Sequence, residues 1–203
     1  YTLDVMAEAV TEVLRELNIP KAILIGHSSG ARVCARVLEN RPELVYKFVI
    51  VDGNLRLPYI DPIARREDFL KIVKQMKERD YLTLVKSMMT KMTFSCLQGD
   101  KEDIERIAIS IPQHILASTF ESIGEEVFRK KSKITIPTLT LISNPALFGA
   151  DYYQYLFGIF SEIDFGNWPR TGHFLMMERW ERFNRLLIDF ADEKYSAYWR
   201  FDF

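Results

Sequence analysis

Several features that mark other classes of protein are scarce in this chain of 203 residues. There are two cysteines, Cys34 and Cys96, without CxxC spacing, so we expect neither a disulfide framework nor a zinc site and favour a reducing, cytoplasmic location. No apolar run approaches the about 20 residues of a membrane span, and the N-terminus lacks the layout of a signal peptide. The net charge is −1 with no basic block, so we expect no nucleic-acid partner.

The hydrophobic content, 48% of the residues, is enough for one sizeable core. Short apolar runs that fit buried strands, KAILIG and YKFVIVDG, alternate with segments of helical spacing. Two further strand-like runs, IPTLTLIS and EIDFGNW, follow in the last third of the chain. Strands that alternate with helices predict an α/β fold, with a mostly parallel sheet and helices on both faces.

The segment from residue 54 to residue 132 differs from the rest, because it shows helical patterns and no convincing strand. We interpret residues 54–132 as a helical insertion, and residues 1–53 and 133–203 as the α/β core. The chain starts at Tyr1, without a methionine, directly in a helical pattern. We therefore expect it to be a piece of a longer protein.

The sequence GHSSG, residues 26–30, follows the first predicted strand and precedes a helix. Gly-x-Ser-x-Gly at a strand-to-helix turn is typical of a nucleophile elbow, which would make Ser28 a nucleophile. We expect Gly26 and Gly30 to remove the collisions that side chains would cause in this turn. A helix N-terminus directs unpaired N–H groups at the serine, so the Ser29 N–H is a candidate oxyanion donor. The alternative is a Gly/Ser turn that only joins strand to helix.

A serine nucleophile needs a general base, and the chain has three histidines. His27 is adjacent to Ser28, so we expect its side chain to point away from the pocket and to be structural. His114 lies in the insertion, where a surface or packing role is expected. His173 follows the last predicted strand, and loops at the C-terminal edge of a parallel sheet form ligand sites. His173 is therefore the candidate general base.

Two segments, AILIGHSSGARVCARVLENRPELVYKFVIVDG and GHFLMMERWERFNRLLIDF, resemble the nucleophile and histidine segments of the α/β-hydrolase superfamily. The resemblance extends from Tyr1 to about Glu193, and the insertion matches the lid of this family in placement. It implies that Ser28 is the nucleophile and His173 the general base. It also implies strands ahead of residue 1 that supply the second oxyanion donor, so we expect the fold to be N-terminally incomplete.

The triad acid has more than one candidate, because the family usually takes it from a loop whose corresponding position here is Ala146. Asp52 ends the second predicted strand, where some members of the family place their acid. Asp151 lies beyond Ala146 in the same loop and is a second candidate. We choose Asp52 first and Asp151 second, and a site without a functional acid is the third possibility.

These features predict a serine hydrolase that cleaves a small ester or related acyl substrate through an acyl-enzyme, without a metal or cofactor. In this interpretation Ser28 attacks the carbonyl, His173 transfers the proton and Asp52 orients His173. One alternative is a non-catalytic relative that binds a small apolar ligand. A weaker alternative is a structural domain in which the motifs are coincidental.

Overall fold

The computed structural model describes residues 1–56, 64–128, 132–143 and 145–192, without the side chains of residues 64–66 and 145–147. The strands in these ranges are β1 (Ala22–His27), β2 (Val45–Val51), β3 (Thr138–Ile142) and β4 (Ile163–Asn167). The helices are α1 (Leu3–Glu16), α2 (Ser29–Asn40), α3 (Ala64–Gln75), α4 (Tyr81–Met92), α5 (Gln98–Ser110), α6 (Gln113–Ile123), α7 (Pro145–Ile159), α8 (Leu175–Glu178) and α9 (Trp180–Ala191).

The four described strands form one sheet in the order β1-β2-β3-β4, and every neighbouring pair is parallel. The predicted parallel α/β sheet is thereby confirmed. Within the described sheet β1 lies at one edge, where Ile25 is 48% exposed. The C-terminal ends of all four strands meet at the same edge, which is where ligands bind in open α/β sheets.

The alternation of side chains along β2 divides the core into two layers. Phe48 and Ile50 pack in a cluster with buried side chains of α1, α2 and α7. Val49 and Val51 pack in a second cluster with α8 and α9, which includes Phe183. Helices therefore cover both faces of the sheet, as the sequence predicts.

The described part of the predicted insertion, residues 54–56, 64–128 and 132, contains helices α3 to α6 and no strand. It has a small apolar cluster of its own around Met76, Val85 and Ala117. The division of the chain into core and lid remains a prediction. No helix in the described ranges is long and apolar enough to cross a membrane.

Candidate active site

The turn between β1 and α2 holds Ser28 in a strained conformation. Its φ of 54° and ψ of −124° cost a non-glycine residue about 1–3 kcal/mol. A Cβ at Gly26 would lie only 2.6 Å from the Ala31 nitrogen, so the turn requires glycine at this position. At Gly30 no surrounding heavy atom of the described residues lies within 4 Å of an added Cβ. The expectation that Gly30 removes a collision is therefore wrong, and the steric requirement falls on Gly26.

Backbone hydrogen bonds place Ser28 and Asp52 next to each other at the C-terminal edge of the sheet. The Ser28 N–H donates to the Val51 carbonyl at 2.9 Å, and the Asp52 N–H donates to the Leu141 carbonyl at 2.8 Å. Each bond extends a parallel ladder beyond the end of its strand. Asp52 also has a positive φ of 45°, so both residues leave their strands in conformations that L-amino acids rarely adopt.

The Asp52 carboxylate connects the sheet to the His173 loop. Asp52 Oδ2 lies 2.8 Å from His173 Nδ1. Asp52 Oδ1 accepts two hydrogen bonds of 2.9 Å from Ser143, one from its N–H and one from its hydroxyl. The side chain of Asp52 is 6% exposed and that of His173 is 18% exposed. Because an ionised carboxylate only accepts, Nδ1 of His173 carries the proton and Nε2 is left to act as a base.

The His27 side chain supports the His173 loop by contacting the backbone of that loop. Its Nε2 lies 2.8 Å from the His173 carbonyl oxygen, and the two imidazole centroids are 4.5 Å apart. Burial, with a smaller contribution from the neighbouring His173, lowers the pKa of His27 to about 4. The ring is therefore neutral near pH 7, and its Nε2–H donates to the carbonyl. Sequence reasoning gave His27 a structural role but missed this contact, because sequence adjacency to Ser28 does not indicate which loop the ring reaches.

The residue before the candidate base is tightly enclosed. The Gly172 N–H donates to Glu178 Oε1 at 2.8 Å. A Cβ at Gly172 would lie 2.9 Å from the same oxygen and 3.3 Å from the carbonyl of Met92, the last residue of α4. The Glu178 oxygen belongs to a flexible side chain, so this spacing favours glycine without requiring it. The position of Met92 shows that the insertion packs directly against the His173 loop.

Ser28 and His173 line the same cavity, which has a volume of about 320 Å³. Its other lining residues are Ser29, Arg32, Asp52, Asn54, Ile123 and Phe148. The described contacts include no hydrogen bond between the Ser28 hydroxyl and the His173 ring, and such bonds often shorten only when substrate binds. A larger cavity of about 500 Å³ beside Trp168 does not include Ser28, so the smaller one is the candidate site.

The other residues weighed from the sequence lie elsewhere. Asp151 is exposed on α7, and the described contacts of His173 go to Asp52 and His27 instead. His114 is exposed on α6. The side chain of Ala146 lies outside the described part of the chain. Among the described residues no group of histidine, cysteine and acidic side chains could hold a metal ion.

The chain groups serine, histidine and aspartate at the C-terminal edge of a parallel α/β sheet. Known proteins match its sequence and its fold. Residues 1–89 match a family model described as the alpha/beta hydrolase fold. An esterase/lipase from Haemophilus influenzae is 46% identical over 56 residues, which are 28% of this chain and 19% of the relative. The sn-1-specific diacylglycerol lipase ABHD11 from Danio rerio is 41% identical over 77 residues, 38% of this chain and 23% of the relative.

The fold agrees with these sequence matches. An esterase from Exiguobacterium antarcticum has a TM-score of 0.82 at 15% sequence identity, and the match covers 95% of this chain and 74% of that chain. The chain has the α/β-hydrolase fold. Its sequence matches span about a fifth of the length of the two curated relatives.

Proposed function

We propose that the protein is a serine hydrolase that cleaves a small ester or related acyl substrate. The observation that carries this proposal is the geometry of one cavity, in which Ser28 and His173 meet while His173 Nδ1 lies 2.8 Å from a buried carboxylate. Burial of Asp52 and its two bonds from Ser143 fix the carboxylate, so the imidazole is held in one orientation and one tautomer. The esterase and lipase names of the relatives agree with this chemistry.

In the proposed reaction His173 Nε2 removes the Ser28 hydroxyl proton while Oγ attacks the acyl carbonyl. The tetrahedral intermediate collapses, the bond to the alcohol oxygen breaks, and His173 returns the proton to the leaving alcohol. Water then attacks the acyl-enzyme with the same proton transfers and releases the carboxylic acid. Asp52 stays ionised and stabilises the imidazolium that forms in each half-reaction.

The Ser29 N–H is the proposed oxyanion donor. Ser29 is the first residue of α2, and the first N–H groups of a helix have no partner within the helix. The positive end of the helix dipole adds to the stabilisation of a negative oxygen beside Ser28. We assign no second donor to the described residues.

The cavity lining indicates the size and polarity of the acyl group. Ile123 and Phe148 supply apolar contacts, while Ser29 and Asn54 supply polar groups. About 320 Å³ lies near the lower end of the range for small-molecule sites, which favours short acyl chains. We further propose that the insertion, residues 54–132, acts as the lid, because Ile123 at the end of α6 forms part of the wall. A cytoplasmic location and the lack of a nucleic-acid partner stay predictions from composition.

The direct test is hydrolysis of p-nitrophenyl acetate and butyrate by the parent chain and by Ser28→Ala. The parent chain should show turnover with a burst of nitrophenolate from acyl-enzyme formation. Ser28→Ala should lose the burst and reduce kcat by about 10⁶. A folded parent chain without turnover would instead support the non-catalytic, ligand-binding alternative.

A further inference from the structure

Two arginines on α2 are buried although their neighbours in sequence give no reason to expect it. Arg32 is 2% exposed and Arg36 is 0% exposed. They lie one helical turn apart on the helix that begins beside Ser28. Buried arginines require hydrogen-bond partners, so their acceptors show what they hold.

The Arg32 guanidinium joins the two ends of the insertion. Its Nη1 donates to the carbonyl of Asn54 at 2.9 Å and to that of Arg56 at 3.1 Å, both at the start of the insertion. Its Nη2 donates to the carbonyl of Glu125, which follows α6 at the other end. A single side chain on α2 thus fixes the entry and the exit of the insertion.

Arg36 makes similar bonds to the backbone of the exit segment, and its described bonds do not include the entry segment. Its Nη2 donates to the carbonyl of Glu126, and its Nε donates to the carbonyl of Val127 at 3.1 Å. Its Nη1 forms an ion pair of 2.7 Å with Asp4 of α1. None of these partners lines the cavity that contains Ser28. Arg36 therefore anchors the same region without touching the walls of the site.

The partners of Arg32 are close to the cavity walls in the chain. Asn54 both lines the cavity and accepts from Arg32. Ile123, the last residue of α6, also lines the cavity and is two residues before Glu125, where the chain leaves the insertion. Arg32 also lines the cavity, and it projects from the helix whose N-terminus lies at Ser28. The guanidinium of Arg32 therefore links both walls to the helix that begins beside the serine.

We propose that Arg32 is a positioning residue that sets the distance of the Asn54 and Ile123 walls from Ser28 and thereby restricts the site to short acyl chains. This inference rests on the proposed hydrolase function. A side chain without donors at position 32 leaves three carbonyls without their partner, and buried carbonyls without partners favour rearrangement of their segments. The walls then move apart, so longer chains enter and short chains are held less well.

The test compares Arg32→Met with Arg36→Met as a matched control on the same helix. The substrates are p-nitrophenyl acetate, butyrate, hexanoate and octanoate, and kcat and KM are measured separately for each. The ratio of kcat/KM for butyrate to that for octanoate should fall by about tenfold or more in Arg32→Met, mostly through KM. Arg36→Met should lower the thermal midpoint comparably and keep the chain-length profile of the parent.

The outcomes separate this inference from the proposed function. Equal chain-length profiles in the parent and in Arg32→Met, or equal changes in both variants, would overturn the role of Arg32 while leaving the hydrolase intact. If Arg32→Met does not fold, Arg32→Lys is compared instead, because its single nitrogen cannot replace both Nη1 and Nη2, which hold separate segments. An unchanged profile there would overturn the inference as well. A folded parent that hydrolyses none of the four esters would overturn the proposed function and this inference together.

Discussion

Replacement of Asp52 by asparagine should inactivate the protein without unfolding it, for a reason visible in the bonds of the carboxylate. Oδ1 accepts from the Ser143 N–H, and a backbone N–H can only donate. The amide oxygen of Asp52→Asn must therefore occupy the Oδ1 position, which places the amide NH₂ 2.8 Å from His173 Nδ1, where Oδ2 lies now. Nδ1 then has to accept, so the ring proton moves to Nε2 and the base that faces Ser28 is lost.

The expected loss is about 10⁴ in kcat, which corresponds to about 5 kcal/mol of transition-state stabilisation. The unfolding free energy should change by less than about 3 kcal/mol, because the bonds from Ser143 persist and one hydrogen bond to His173 reverses its direction. Asp151→Asn is the matched control, since Asp151 is exposed on α7.

The assay is steady-state hydrolysis of p-nitrophenyl butyrate, with urea unfolding of each variant. Asp52→Asn should be folded and nearly inactive, and Asp151→Asn should match the parent in both measurements. Retention of more than about a tenth of the parent kcat in Asp52→Asn, or an equal loss in Asp151→Asn, would refute the assignment of Asp52 as the orienting acid.

Two further substitutions test the support of the site. His27→Gln keeps an N–H donor for the His173 carbonyl, so it should retain most of kcat, whereas His27→Phe should lose about tenfold; equal kinetics would contradict the role of this hydrogen bond. Burial lowers the pKa of His27 to about 4, so the unfolded chain binds a proton at this histidine at a higher pH than the folded chain does. The unfolding free energy of the parent, measured with urea, should therefore fall by up to about 3 kcal/mol between pH 6.5 and 4, and His27→Gln should not show this fall. Gly26→Ala should lower the unfolding free energy by about 3 kcal/mol or prevent folding, because its Cβ collides with Ala31, while Gly30→Ala should change the unfolding free energy little. Equal losses in urea unfolding would show that the contact with Ala31 is not the reason for glycine at position 26.

The fold and part of the site could be predicted from local patterns. Ser28 was recognisable because an apolar strand, glycine spacing and a helix occur in direct succession, and each is a short-range signal. His173 was recognisable from its place after the last strand. The parallel direction of the strands followed from the alternation of strands and helices, because each helix returns the chain to the same end of the sheet.

The remaining features depend on distances between segments that are remote in sequence. The sequence ranked Asp52 before Asp151, but the contact of Asp52 with His173 depends on the ladder from Asp52 to Leu141 and on the position of the His173 loop, which no local pattern gives. Arg32 and Arg36 look like surface residues of an amphipathic helix, and their burial follows only from the return of the chain at residues 125–127. The contact of His27 with the His173 carbonyl is hidden for the same reason.

The measurement that tests the central claim most directly is covalent labelling of the folded protein with a fluorophosphonate probe, located by mass spectrometry of its peptides. A nucleophilic Ser28 activated by His173 should carry a single adduct, which Ser28→Ala abolishes and His173→Gln slows strongly. A folded chain that stays unlabelled at Ser28, or an adduct elsewhere that persists in Ser28→Ala, would contradict the account.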